Sequence, residues 1–305
     1  MARWHIGLVG CGAWGRLILR DLKALGARVD VVAQSPAGRR AAHEGGADAV
    51  IGTLEELAPV QGVIVATPTA THASIIDSVL DRAVPIFCEK PLAPDPQVAA
   101  RLAGAAPDRL FVMDKWRYHP GIEALRDLLG SGGLGEPVGI HTVRVGWGNR
   151  HRDVDPVWIL APHDLSIVFE ILGVLPAARA AVAEVVDDAV WGLIGHLGPA
   201  PWATVQVSAS SHRTHRDVRV VGQDGVAWLS GSYADAIGIA RPPFTAEPRW
   251  QPVSQEMPLL RELRTFLEHL EGGPPPRSGA AEAAQIVTRV DELRQLAGLV
   301  PAGRH

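Results

Sequence analysis

The sequence predicts a mixed α/β protein, with an N-terminal doubly wound parallel sheet followed by an α+β domain built on a large, mainly antiparallel open sheet. Three observations predict it. Through residue 115, short β-type runs alternate with Ala/Leu-rich helical stretches. Those runs are apolar on both faces, as strands covered on both sides by helices require. After Pro120 the order changes to strands in series joined by tight turns. The change places a first domain at residues 1–118 and a second at 119–305, with the last helix, 280–296, able to pack back on the first.

The first five β runs are HIGLV, RVDVVA, GVIVAT, PIFC and LFVM, with helical stretches at 15–25, 70–82 and 94–104. Right-handed crossovers bring the carboxyl ends of such strands to one edge, where ligands bind. Residues 121–129 read as a helix closed by Gly130-Ser131-Gly132-Gly133, 137–147 as a long alternating strand, and 156–172 as an amphipathic helix. Strand-like runs fill 177–215. Residues 217–229 read as a hairpin through Gln223-Asp224-Gly225, with Asp-Gly as a standard turn pair. Two helices, 258–270 and 280–296, close the chain around a Gly-Gly-Pro-Pro-Pro linker.

Composition narrows the function. The chain has 305 residues, 47% hydrophobic, enough for a packed core. Its 29 basic and 33 acidic residues leave a net charge of −4, which argues against a nucleic-acid or membrane-surface partner. Two cysteines, Cys11 and Cys88, supply neither a disulfide framework nor a four-cysteine zinc site, and no other spacing suggests a metal. The start does not read as a signal peptide, and the most apolar long window, 191–207, is broken by Gly198, Pro199 and Pro201. A cytoplasmic protein is expected.

Gly10-Cys11-Gly12-Ala13-Trp14-Gly15 follows the first strand and opens the first helix. In a Rossmann dinucleotide site Gly10 permits the tight turn, Gly12 lets a pyrophosphate approach the backbone, and Gly15 lets helix and strand pack closely. The helix amino terminus, at Ala13 and Trp14, adds N–H groups and partial positive charge. An NAD site usually carries an acid at the end of the second strand. Asp30 lies near that strand's start instead, about 10 Å from the carboxyl edge at about 3.3 Å per residue, where a solvated strand-entry residue is expected. The edge itself offers Ser35, Arg39 and Arg40, groups suited to a 2′-phosphate, so NADP(H) is preferred over NAD(H).

Further motifs extend the picture. They are Ala66-Thr67-Pro68-Thr69-Ala70-Thr71-His72, Cys88-Glu89-Lys90-Pro91, Arg117-Tyr118-His119-Pro120, the loop 130–137, Leu160-Ala161-Pro162-His163-Asp164-Leu165-Ser166, and the two closing helices. In this order they resemble the glucose–fructose oxidoreductase / inositol dehydrogenase (Gfo/Idh/MocA) family over nearly the whole chain. The resemblance implies NAD(P)-dependent hydride transfer on a sugar, a sugar nucleotide or a cyclitol. It implies cofactor contacts at Thr67, Pro68, Thr69, His72, Glu89 and Lys90, a homodimer or homotetramer formed through the large sheet, and a substrate cleft between the domains.

Oxidising a secondary alcohol sends a hydride to the nicotinamide and a proton to a base. Lys90 lies just past a parallel strand's carboxyl end, and serves as a base if burial and the oxidised ring's charge lower its pKa from about 10.4 toward about 7–8. The resemblance adds that Lys90 contacts the reacting hydroxyl, that Glu89 orients it, and that His163 is the acid/base group of the second domain. Many relatives carry Asp four residues before this histidine, where this chain has Ile159. Asp153 or Asp155 could stand in, or Asp155 caps the helix that Pro156 begins. Substrate contacts are expected from Arg117, after the LFVM strand, and from Trp147, Asn149, Arg150, His151 and Arg152. Two other readings share these residues: a cofactor-binding protein without catalysis, and a reductase of a non-sugar substrate.

Overall fold

The computed structural model describes residues 3–148, 153–244 and 246–299. The chain forms two compact units. One holds residues through Lys115 together with Leu259–Val287, and the other holds Trp116–Pro258 and the residues from Thr288 onward.

The first unit is a six-stranded parallel sheet in the order β3-β2-β1-β4-β5-β6. Its strands are β1 (His5–Val9), β2 (Arg28–Val32), β3 (Ala49–Ile51), β4 (Gly62–Val65), β5 (Ile86–Glu89) and β6 (Leu110–Met113). The five runs read from the sequence are all present. The sixth strand, β3, is a three-residue edge element, too short for a period to show. Helices α1 (Ala13–Ala24), α2 (Pro36–Glu44), α3 (His72–Val79) and α4 (Pro96–Ala105) make the crossovers. In α1 the buried residues Gly15, Ile18, Leu19 and Leu22 recur at helical spacing and form one face. Ser35 and Asp95 cap α2 and α4, and a proline follows each at the first helical position. Strand order reverses between β1 and β4, so the turns after these two strands flank the switch point at which doubly wound sheets bind ligands.

Asp30 corrects one expectation. It is 3% exposed, and His5 Nε2 lies 2.8 Å from its Oδ2. β2 runs between β1 and β3, so a position near the strand's start is already covered, and a carboxylate there needs a partner.

The second unit opens with α5 (Pro120–Gly130), β7 (Pro137–Trp147) and α6 (Pro156–Leu172). Then follow β8 (Ala178–Val186), β9 (Ala189–Leu197), β10 (Trp202–Ser208), β11 (Ser210–Gly222), β12 (Gly225–Ser230), β13 (Ala236–Ala240) and β14 (Arg249–Pro252). They form an eight-stranded sheet in the order β14-β13-β12-β11-β7-β10-β9-β8. Every pair is antiparallel except β10 with β7. Alternation along β7 buries Ile140, Thr142 and Arg144. α6 packs against β7, β9 and β10. It is apolar nearly all round, as a buried helix should be, and not amphipathic as its sequence suggested; it ends at Gly173 in the left-handed region (φ +68°).

The hairpin joining β11 and β12 lies in the expected Gln223-Asp224-Gly225 stretch; its two turn residues are Gln223 and Asp224, since Gly222 pairs with Gly225, and not the Asp-Gly pair. Packing explains the two glycines. A Cβ on Gly222 would lie 2.2 Å from the Leu134 carbonyl oxygen, and one on Gly225 would lie 2.7 Å from that of Ala240. The turn's own N–H groups bond to the carbonyls of Glu136 and Leu134.

Helix α7 (Pro258–His269) lies mostly in the first unit, and α8 (Ala280–Leu296) begins there and ends in the second. Leu259, Leu263, Phe266 and Leu267 of α7 join the first unit's core, and Phe266 stacks on Phe87 of β5 at 4.9 Å. Among the described residues, no helix is long and apolar enough to cross a membrane.

Candidate active site

Each glycine of the first turn is explained separately. Gly10 has φ +94°, and a Cβ there would lie 2.6 Å from the Ala66 carbonyl oxygen of the turn after β4. A Cβ on Gly15 would lie 2.2 Å from the Gly10 carbonyl oxygen, so helix and strand approach too closely for a side chain. A Cβ on Gly12 would meet nothing within 4 Å. No protein atom blocks a side chain there, and an open glycine at this place is what the close approach of a pyrophosphate to the backbone would use. Gly12 also starts α1 without a side-chain cap, and the first turn contains no acid. The N–H groups at Ala13 and Trp14 are thus not covered by a capping side chain. These features fit a dinucleotide pyrophosphate.

At the carboxyl end of β2, exposed Ser35 caps α2 by accepting from the Gly38 N–H at 3.0 Å. Arg39, also exposed, donates from Nε to the Ala33 carbonyl at 2.9 Å, which anchors its guanidinium at this edge. No acidic side chain occupies residues 33–40.

The turn after β4 is held by its own hydrogen bonds. The Thr71 hydroxyl donates to the Pro68 carbonyl at 2.7 Å, and Thr69 is buried. His72 is 1% exposed, and its ring ties two loops together: Nε2 is 3.0 Å from the Thr67 carbonyl and Nδ1 is 2.9 Å from that of Pro91. The residue read as a cofactor contact therefore holds the turn after β4 to the segment that carries Lys90.

Lys90 follows β5 and is 9% exposed. Burial pushes the neighbouring Glu89 carboxyl upward, while Lys90 and Lys115 pull it down and the Lys90 N–H bonds to it. Lys115, just beyond β6, also sits with Nζ 4.3 Å from the centre of the Trp14 ring. Glu262 of α7 completes the group and is 1% exposed. Burial, and then Glu89 and Asp114, push its carboxyl well above the usual range. Sequence reading missed Asp114, Lys115 and Glu262. A signal for Glu262 exists, since it falls three residues after Leu259 and four before Phe266, on the apolar face of its helix. Burial also pushes the Cys88 thiol well up, which makes it an inert core residue.

In the second unit, His163 lies half-buried on α6, with Ile159 buried one turn before it. The next residue, Asp164, is 1% exposed and accepts from Arg144 Nε at 2.5 Å. Arg144 in turn lies 4.4 Å from the centre of the Trp116 ring. Arg117 is buried and donates from Nε to Glu170 Oε2 at 2.7 Å, a carboxylate that also pairs with Arg126. Asp155 takes the capping role: Oδ1 accepts from the Val157 N–H at 3.0 Å, and Oδ2 pairs with Arg294 at 2.5 Å. Trp147 ends β7, is 73% exposed and stacks at 6.1 Å on Trp191, a partner the sequence did not suggest. Arg152 lies outside the described residues, as do Asn149, Arg150 and His151. Among the described residues, no group of three His, Cys, Asp or Glu is arranged to hold a metal.

Residues 4–110 match the family model described as oxidoreductase family, NAD-binding Rossmann fold (GFO_IDH_MocA). The chain is 33% identical over 183 residues to the inositol 2-dehydrogenase of Burkholderia ambifaria, a stretch covering 55% of this chain and 54% of that one. The matched region thus spans about half the length of this curated relative. Over the full fold, the chain is similar to the solved UDP-N-acetylglucosamine 3-dehydrogenase of Acidithiobacillus ferrooxidans (TM-score 0.83, 22% identity, covering 97% of this chain and 98% of that one). It is also similar to a levoglucosan dehydrogenase solved with NADH and levoglucosan (TM-score 0.85, 16% identity, 97% of each chain).

Proposed function

We propose, from the premise that the chain belongs to the Gfo/Idh/MocA oxidoreductase family, that it moves a hydride between a nicotinamide cofactor and a secondary alcohol or ketone of a sugar, a nucleotide-linked sugar or an inositol-like ring. The observation that carries the reading is the open position at Gly12. It lies at an uncapped helix start beside the sheet's switch point, with Lys90 buried on the same sheet edge. A bound nicotinamide supplies the hydride acceptor or donor. The Ala13 and Trp14 N–H groups hold the pyrophosphate, and Ser35 with Arg39 receives a 2′-phosphate, which favours NADP(H). Lys90 takes or gives the proton of the reacting hydroxyl, Glu89 orients it, and His163 is the second acid/base group. Arg117 and Trp147 remain substrate-binding candidates of this reading; Asp155 is the least favoured, because both its oxygens already have partners.

The test is a screen of sugars, nucleotide-linked sugars and cyclitols with NAD and NADP, following the absorbance of the reduced nicotinamide. Turnover with a polyhydroxylated ring is expected. Tight cofactor binding with no turnover across the screen would favour the non-catalytic alternative. Assembly through the large sheet belongs to the same reading. Val182 and Ile194 face each other across β8 and β9 and are 70% and 54% exposed, an apolar pair suited to burial in a homodimer or homotetramer. Light scattering that finds only monomers would reject this part.

A further inference from the structure

Beside Lys90 the first unit gathers more acid than base, with Asp114 and Glu262 buried and Glu89 and Lys115 half-buried. Glu89 comes from the end of β5, Asp114 from the end of β6 and Glu262 from α7, while Lys90 and Lys115 are the cations beside them. With all five ionised, the group carries one excess negative charge. Buried charge is costly unless it is balanced and hydrogen-bonded. Glu262 is the worst placed to keep its charge. It is 1% exposed, its Oε1 has no hydrogen-bond partner among the described residues, and the acids Glu89 and Asp114 both act on it. Lys115 acts on it as a cation, but this lysine is shared with Glu89 and the Trp14 ring. The Asp114 backbone N–H is directed at its carboxyl group.

We propose that Glu262 is held as a neutral carboxylic acid, and that its proton balances the buried cluster so that Glu89 stays a carboxylate beside Lys90. Glu262 is then a positioning residue that acts on Lys90 through Glu89. The functional half of this statement rests on Lys90 being the acid/base group; the protonation half does not.

A carboxyl raised in the folded state favours folding below its unfolded pKa, and this contribution is lost as pH rises toward the folded value. Replacing Glu262 by the neutral isostere Gln removes that loss. Glu262→Gln is therefore expected to unfold at a higher urea concentration than the parent protein, with a gap that widens from about pH 5 to about pH 8. The variant should keep the parent's pH–rate profile, because Gln preserves the charge balance. Infrared spectra of the full chain carrying isotope-labelled glutamate should show a protonated carboxyl band at neutral pH that Glu262→Gln lacks. A gap independent of pH, a band that persists in the variant, or no such band in the parent protein would overturn the proposal. The last measurement needs no variant to fold. Turnover retained by Lys90→Ala would remove the catalytic reading and leave these protonation results standing.

Discussion

Arg144 reaches from β7 to Asp164 on α6, Nε to Oδ2 at 2.5 Å, and both side chains are at most 5% exposed. Burial pushes the Asp164 carboxyl up, and Arg144 pulls it back down. The pair thus holds the helix that carries His163 against the sheet.

Arg144→Met leaves that carboxylate buried without its main partner and should cost about 3–5 kcal/mol in urea unfolding. Because the Asp164 carboxyl is raised in the folded state, its contribution is present under acid and lost as pH rises, and losing Arg144 deepens that loss. The deficit should therefore be smallest at acid pH and largest above neutrality. A deficit that does not vary with pH would mean that Asp164 is not the group left exposed to the loss.

Gly12 and Gly15 should separate binding from folding. Gly12→Ala adds a Cβ that meets no protein atom, so stability should stay within about 1 kcal/mol of the parent while cofactor affinity falls roughly tenfold or more. Gly15→Ala forces a Cβ to 2.2 Å from the Gly10 carbonyl oxygen and should lower stability by about 1–3 kcal/mol. Thermal unfolding and cofactor titration on both variants check the pair.

Lys90→Ala should reduce turnover by roughly 10²–10⁴, the range for a lost acid/base group, with cofactor affinity nearly unchanged. Fluorescence titration of the cofactor and steady-state rates on the same preparation measure the two effects. Unchanged turnover would exclude the lysine as the proton carrier.

Arg39 is anchored by the Ala33 carbonyl at the edge proposed above to receive a 2′-phosphate. Arg39→Ala should weaken NADP binding roughly tenfold and leave NAD binding nearly unaltered. Clearly tighter NAD binding by the unmodified protein would defeat the NADP preference outright.

Much of the first unit was legible because its signals are local. The strand runs, the glycine turn and the helix after it lie within a few residues of one another, and each glycine acts on its immediate surroundings. β3 was not legible, because three residues at a sheet edge carry no period. His163 was singled out by motif resemblance, since a histidine in an apolar helix carries no signal of its own, whereas Lys90 also had its place just past a parallel strand's carboxyl end. The Asp224-Gly225 dipeptide misplaced its turn by one residue, because Gly225 answers to the Ala240 carbonyl across the sheet.

The amino-acid order by itself determined the doubly wound half, the glycine turn suited to a dinucleotide, and the alternation that builds the large sheet. These depend on periodicity and backbone freedom, which act between near neighbours. The tertiary structure alone decided which charges are buried and with whom: Asp30 with His5, Arg117 with Glu170, Arg144 with Asp164, and Glu262 among Glu89, Asp114 and Lys115. Such partners lie tens to well over a hundred residues apart in the chain. Only strand register and helix packing bring them within reach, and only burial makes their charge matter.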